Sequence, residues 1–406
     1  MNVCVAIEHR MLRTPDGAVW TQMAFPYSFW TRYLEVFSQV TMLTRVQDVP
    51  TVPPEWIRAD GDGVRCLGVP SYHGPWQYFR RRHEVKDFLR KAMATQTDAV
   101  ILRIPTLQIA AELHPLLREN RRPYGAEIVA DPFGYFSPGA IRHPLRPYFR
   151  WLYSRQQHQQ VWDACAAAFV TEHALQRQFP ANPHAYTTTY SSVELPDAAL
   201  CVIPRVYARA PRPVTLITVA TLGSLIKAPD VLIEAVGICR RAGVDVRLKY
   251  IGDGKHRAEM EKLVSTRGLG EAIEFLGQLT TGSAIFRQLD RADLFVLPSR
   301  SEALPRALIE AMARALPCIC TRVGGNAEVL AEEELVPIND PIALAQAICA
   351  VVTDPARMTA MSARNLHTAA RFRESVLRVR RSALYRAVME STLEWQQQRR
   401  LIAVTA

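Results

Sequence analysis

At 406 residues, with 49% hydrophobic and 22% charged residues, the chain suits two domains of about 200 residues each and is too apolar for global disorder. Its net charge of +10 is uneven: residues 76–155 hold 14 Lys and Arg against 7 Asp and Glu, and residues 364–400 hold 9 against 3. Such surface invites phosphate-bearing partners, but no nucleic-acid module pattern accompanies it, so no nucleic-acid partner is expected. The eight cysteines form no CxxC pair and lie mostly in apolar runs, which argues for reduced thiols and against a zinc or disulfide framework. No run approaches the roughly 20 apolar residues of a membrane span, and the apolar run before Glu8 is too short for a signal peptide; a cytoplasmic protein is expected.

The N-terminal half alternates short apolar runs with helical patterns, as a parallel sheet with crossover helices does. Strands are expected at 2–7, 40–46, 99–104, 124–130 and 166–171, with helices at 27–37 and 107–117. Residues 47–76, rich in Pro, Gly and Asp, predict an irregular excursion. The Asp60-Gly61-Asp62 run in it lacks the preceding strand of a metal-binding DxD. Asp131 follows a strand, where open α/β sheets bind ligands and where carboxylates also make turns. Arg142, His143, Arg146, Arg150 and Arg155, interleaved with Leu145, Tyr148, Phe149, Trp151 and Leu152, fit a membrane-facing helix or an ordinary amphipathic surface helix. His173 is the one histidine placed at a strand end.

Residues 195–213 carry four prolines and read as an interdomain linker. Beyond it the alternation restarts, with strands at 214–220, 246–251, 273–276, 294–297 and 317–321. Helices are expected at 229–241, 256–267, 283–289, 305–315 and 342–352, and a long basic helical segment closes the chain at 371–400. A second doubly wound domain follows.

The chemistry concentrates in Ala292–Leu330, ADLFVLPSRSEALPRALIEAMARALPCICTRVGGNAEVL. Glu302 falls in the turn after a strand and Glu310 inside the next helix. Pro305 suits that helix's first turn, leaving backbone N–H groups and a positive helix end as a seat for phosphate. Glu310, flanked by Leu308, Ile309, Ala311 and Met312, is expected to be shielded and to seek donors such as sugar hydroxyls, or else to pair with an arginine. Gly324-Gly325 follows a strand and permits close backbone approach. Lys227, in a loop before the helix that holds Asp230, is a cation placed to neutralise a diphosphate. Together these groups mark one strand-end site.

These residues resemble retaining glycosyltransferases of family 4. The matching stretches are VATLGSLIKAPDVLIEA (219–235), YIGDGKHR (250–257), IEFLG (273–277) and the Ala292–Leu330 run, with the family's Glu–seven residues–Glu signature on Glu302 and Glu310. In the N-terminal half TPDGAVWTQMAFPYSFWTRYLEVF, YGAEIVADPFG and FVTEHALQRQF look like an exopolysaccharide or surface-glycan branch. The resemblance implies the GT-B fold: two Rossmann-like doubly wound α/β domains facing a cleft. It implies an acceptor domain over residues 1–205, a donor domain over 206–370, and a helical segment over 371–406 that returns to the first domain.

It further implies transfer of a sugar from a nucleotide-diphosphate sugar to an acceptor hydroxyl, with retention and without a cofactor or metal. Glu310 would bind the donor ribose. Glu302, Ala303 and Leu304 would sit by the sugar and phosphates, and Lys227 would balance the diphosphate. Gly17 would let the first loop approach, Leu276 and Gly277 would lie near the base, and Gly252, Gly254, Gly324 and Gly325 would complete the donor site. Thr221 replaces a basic residue and Ala303 a glycine. Asp131 occupies the neighbourhood of a family histidine, and with Glu302 and Lys227 forms the candidate catalytic set. The acceptor would be a saccharide or lipid-linked saccharide, with peripheral contact at the inner membrane face. A non-catalytic nucleotide-sugar-binding subunit and another GT-B enzyme, an epimerase or a phosphorylase, are the competing readings.

Overall fold

The computed structural model describes residues 1–405 except 23, 96, 106, 142, 211, 280 and 281. Two sheets form. The first contains β1 (Val3–Arg13), β2 (Val19–Thr21), β3 (Val40–Asp48), β4 (Ile57–Arg58), β5 (Val64–Pro70), β6 (Ala99–Ile104), β7 (Gly125–Ile128), β8 (Ala166–Phe169) and β9 (Tyr186–Thr189). Its parallel core runs β5-β3-β1-β6-β7-β8-β9, with β2 and β4 added antiparallel at the far end of β1. The second contains β10 (Val214–Val219), β11 (Val246–Ile251), β12 (Ile273–Gly277), β13 (Leu294–Leu297), β14 (Cys318–Thr321) and β15 (Leu335–Val336), in the order β12-β11-β10-β13-β14-β15. Both orders reverse at the first strand of the sheet, between β1 and β6 and between β10 and β13. A crevice opens there at the carboxyl ends.

Helices cover both faces of a parallel sheet, so its central strands are apolar throughout rather than alternating. That explains the fully buried β13 and β14, and β6 as well apart from Arg103. The expected strands of the second sheet form within a residue or two of their predicted ends. The first sheet departs more. β1 continues to Arg13 through a register shift between Ala6 and Arg10, and β5 forms inside the region expected to be irregular. Its seven residues pair in register with β3, so tertiary pairing outweighs the Gly and Pro in VRCLGVP. The helix expected at 27–37 is regular only over Tyr27–Trp30. Asp60 accepts from the Val19 amide (2.9 Å) and the Arg58 guanidinium (3.1 Å), a turn-fixing use.

The final helix, Glu374–Thr405, lies against the first sheet. Gly125 of β7 has room for it because a Cβ there would come within 2.5 Å of Val388. Beneath it Glu127 is fully buried. It accepts from Arg103 (2.7 Å), Tyr33 (2.9 Å), Tyr190 (2.7 Å) and Tyr385 of the final helix (3.2 Å). Burial pushes the Glu127 carboxyl up, but the Arg103 charge and the hydroxyls outweigh it and hold the group below its ordinary value. Arg205 pins the connecting segment to the second unit by donating to the carbonyls of Leu289, Ala292 and Arg314.

Candidate active site

The carboxyl edges of the two sheets meet. Thr171, two residues past β8, packs against Gly325, four residues past β14. A Cβ on Gly134, past β7, would meet both Ser301 Oγ (2.4 Å) across the cleft and Asp131 Oδ2 (2.5 Å). Glu328 spans the two units: its carboxylate accepts the backbone amides of Glu172 (2.5 Å), His173 (3.0 Å) and Ala174 (2.6 Å), at the start of the short helix Ala174–Gln178. His173 therefore contributes its amide here.

At the switch point of the second sheet lies a cavity of about 300 Å³ lined by Thr221, Lys227, Asp253, Gln278, Leu279, Arg306 and Glu310 among others. The loop after β10 turns through Leu225–Lys227 and a left-handed Ala228 into the helix Pro229–Arg241, which presents Lys227 to the loop after β13. There Lys227 pairs with Glu302, whose Oε1 also accepts from Ser299 Oγ (2.6 Å). Glu302 is only 8% exposed, and this cation and hydroxyl satisfy it. Arg300 clamps the two loops together. It forms a two-pronged pair with Asp230 (3.0 and 2.6 Å) and donates to the Leu225 carbonyl (2.6 Å) and to Asn339 (2.6 Å).

Glu310, on the helix Arg306–Ala313, is half-buried and faces the same cavity. Among the described residues no donor reaches its carboxylate and no cation pairs with it. Burial raises its pKa above the ordinary carboxylate range, partly opposed by the Arg306 charge. The helix begins after Pro305 without a side-chain cap, so its first amides remain for a ligand beside Arg306 and Ala307.

The structure thus brings together Lys227, Glu302, Glu310 and the Ala303–Leu304 loop. Gly252 also lines the cavity, and the glycines pack the loops closely. A Cβ on Gly252 would lie 1.9 Å from the Ala220 carbonyl oxygen, and one on Gly324 1.9 Å from that of Glu302, so the space is filled by backbone rather than left for a ligand. Gly254 and Gly325 are hemmed in likewise by Leu222–Gly223 and Ala303. Leu276 and Gly277 lie behind the cavity, whose wall is formed by the next residues, Gln278 and Leu279. Gly17 stands at the tip of the β1–β2 hairpin and lines a separate hollow with Arg13 and Asp48. Asp131 caps the helix Pro132–Tyr135 by accepting from the Phe133 amide (2.9 Å) and also accepts from Gln178 (3.1 Å). It sits at the cleft edge by Ser301, outside the Lys227 cavity. Thr221 lines the cavity and accepts from the Gly223 amide (3.0 Å). Arg300 and Glu328 went unnoticed in the sequence; only the preceding Ser299 and the GG-x-x-E spacing were there to be read.

Arg146, Arg150 and Trp151 edge a groove of about 850 Å³ with Phe133, Arg155, His158 and Phe179. Arg142 lies outside the described residues. Trp151 is 56% exposed, and no carboxylate among the described residues pairs with Arg146, Arg150 or Arg155. No helix among the described residues is long and apolar enough to cross a membrane.

Two Rossmann-like sheets joined edge to edge around a strand-end cavity make the GT-B fold. A solved member, HepE from Anabaena in complex with UDP and glucose, superposes with a TM-score of 0.64 at 13% identity, covering 96% of this chain and 98% of that one. Residues 213–354 match the family model of Glycosyl transferases group 1, and the protein is a transferase enzyme. Over most of its length the chain is similar to Protein CapJ of Staphylococcus aureus, 24% identical over 335 residues and 80% of each chain. It is also similar to the putative colanic acid biosynthesis glycosyltransferase WcaL of Escherichia coli. That match is 33% identical over 156 residues and spans 36% of this chain and 38% of WcaL.

Proposed function

We propose that the protein transfers a sugar from a nucleoside-diphosphate sugar to an acceptor hydroxyl with retention of configuration, in the assembly of a polysaccharide or glycoconjugate. The observation that carries this reading is half-buried Glu310, without a partner among the described residues, sharing a cavity with Lys227 and an uncapped helix start. A carboxylate in need of hydroxyl donors beside two sources of positive potential suits a ribose diphosphate. The relatives' glycosyltransferase names and the UDP and glucose bound to HepE support it.

In the free protein Glu302 neutralises Lys227. An arriving diphosphate competes for the lysine, and the released carboxylate accepts hydroxyls of the donor sugar. Lys227 and the amides at the start of Arg306–Ala313 then stabilise the charge developing on the departing diphosphate, the interaction that most often dominates catalysis. The acceptor hydroxyl attacks the anomeric carbon from the face the diphosphate leaves, and its proton passes to the departing phosphate oxygen. Asp131, committed to its helix cap, holds the 131–137 segment against Ser301 and acts as a positioning residue. The chemistry assigned to these residues calls for no metal. The groove at Arg146, Arg150 and Trp151 suits an anionic membrane face or the lipid of a lipid-linked acceptor, with the protein held peripherally at the inner face of the cell membrane.

Incubation with radiolabelled nucleotide sugars and membrane extract, with and without EDTA, tests the reading. Transfer to a saccharide product with the donor's anomeric configuration, undiminished by chelation, is expected. Nucleotide binding without turnover would make the protein a sensor or assembly subunit, and an epimerised free sugar would make it an epimerase.

A further inference from the structure

A further pocket, of about 360 Å³, opens where β1 runs on past its pairing with β6, at the register shift between Ala6 and Arg10, and is lined by Glu8, His9, Arg10, Gln22, Arg45, Trp56, Tyr72 and His73. We propose that it holds the acceptor sugar and that this sugar carries an anionic group, a carboxylate or a phosphate, which Arg10 binds. The proposal rests on the transferase reading above and goes beyond it by naming the acceptor's chemistry.

The pocket stands on the same sheet edge as the residues after β7 and β8 that touch the second unit, so it opens toward the cleft. Its volume is within the range of about 300–1,000 Å³ typical of small-molecule sites. The charges in it do not balance. Glu8 is fully engaged: Arg45 pairs with it (3.1 Å), Tyr72 donates to it (2.8 Å), and the amides of Gln108 (3.2 Å) and Ile109 (3.0 Å) reach its other oxygen. Arg45 is engaged as well, donating to the Tyr72 carbonyl (2.9 Å) with its guanidinium over the Tyr72 ring. Arg10 is exposed and meets only the His73 ring, 2.7 Å from Nδ1. Among the described residues no carboxylate pairs with it. One positive charge therefore faces the pocket uncompensated, on the side chain best shaped for two-pronged binding of a carboxylate or phosphate.

The remaining wall suits a sugar. The Thr21 hydroxyl donates to the Ala24 carbonyl (2.5 Å), so in its 3.0 Å contact with His9 Nε2 it must accept. Nε2 of His9 therefore carries the proton, and burial together with the Arg45 and Arg10 charges keeps the ring neutral, its pKa pushed down to about 4. Its Nδ1 lone pair is left to accept from a sugar hydroxyl. Gln22 adds an amide and Trp56 a half-buried aromatic face.

The test uses the full chain saturated with whichever of UDP, GDP or ADP stabilises it most, and measures binding of methyl glucoside, methyl glucuronide and glucose 6-phosphate by saturation-transfer NMR. An anionic sugar should bind about tenfold tighter than the neutral one, the low end for a charge-assisted hydrogen bond at an open site. Arg10→Gln should erase that preference and Arg10→Lys retain most of it, with nucleotide affinity and Tm unchanged in both. The stronger of the two anionic arms then names the group as carboxylate or phosphate. Equal binding of neutral and anionic sugars, a preference that survives Arg10→Gln, or nucleotide binding with no sugar bound at all would each overturn the proposal. Failure of every nucleotide to bind would instead overturn the transferase reading beneath it.

Discussion

The two sheets of this protein share one winding pattern but build their pockets differently. In the second, the cavity at the β10/β13 switch point is made by short loops directly after strands, and much of its shape is backbone against backbone, as at Gly252 on Ala220 and Gly324 on Glu302. In the first, β1 is 11 residues long, reaching Arg13, and gains an antiparallel flange, and the pocket is walled by side chains from β1, β3 and the loop after β5. A pocket cut from loop backbone can hold what many substrates share, a nucleoside diphosphate. A pocket cut from side chains can change with the substrate. The polar resources differ in the same sense. The buried carboxylate of the first unit, Glu127, is saturated by four donors, whereas Glu310 of the second has none among the described residues. Among the described residues the one is satisfied within the fold and the other is not.

Substitutions in the two units should therefore separate stability from function. The largest effect is expected at Glu127→Ala, which strands the buried Arg103 and three hydroxyls, Tyr385 of the closing helix among them. Breaking a buried pair costs about 3–5 kcal/mol, so chemical denaturation should show a loss of that order. A loss below about 1 kcal/mol would mean that the final helix docks without this network.

Lys227→Gln should do the reverse, keeping a donor for Glu302 and leaving Tm nearly unchanged. Its kcat/KM should fall by about 10²–10³, the usual cost of losing one charge-stabilising donor. Unchanged turnover would remove Lys227 from the transfer step.

At Glu310 the pH profile discriminates. Burial raises its folded pKa, so the native state binds this proton more tightly than the unfolded chain does. Its contribution to stability is present below the ordinary carboxylate pKa of 4.5 and is lost as pH rises through the raised folded value. Glu310→Gln should thus match or slightly exceed the wild type in Tm at pH 7, with the gap closing in acid. Nucleotide affinity, which needs the charged form as acceptor, should fall in the wild type as pH drops through the raised pKa and be weak and flat in the variant. A Tm collapse at pH 7 would make Glu310 structural.

The smallest effect is expected from replacing Arg146, Arg150 and Arg155 together by Gln. Arg155 is exposed, and half-buried Arg146 and Arg150 each lose one hydrogen bond to a backbone carbonyl, Phe136 and Phe133, so Tm should fall by no more than a few degrees while cosedimentation with anionic liposomes is lost. Unchanged cosedimentation would remove the membrane role of the groove.

Much of the second unit was legible from sequence because its information is local. A strand, a turn and a helix in Ala292–Leu330 put Glu302 and Glu310 near one another whatever the rest of the chain does, and apolar runs such as LFVL and CICT mark doubly covered strands by themselves. In the first unit β5 was hidden because Gly68 and Pro70 weaken its local signal, and only pairing with β3 makes it a strand.

Tertiary structure alone decided the meetings between distant residues. It set Lys227 against Glu302 across 75 positions and Glu328 on the amides of Glu172–Ala174 across more than 150. It moved the cavity wall from Leu276 and Gly277 to Gln278 and Leu279, and left Gly17 on a hairpin beside a separate hollow. It also left Arg10 as the uncompensated cation of its pocket, because Glu8 was already taken by Arg45, Tyr72 and two amides. Periodicity records which face of a strand or helix is buried. The partner of a charge depends on which strand ends the winding brings to the same edge, and no local pattern carries that.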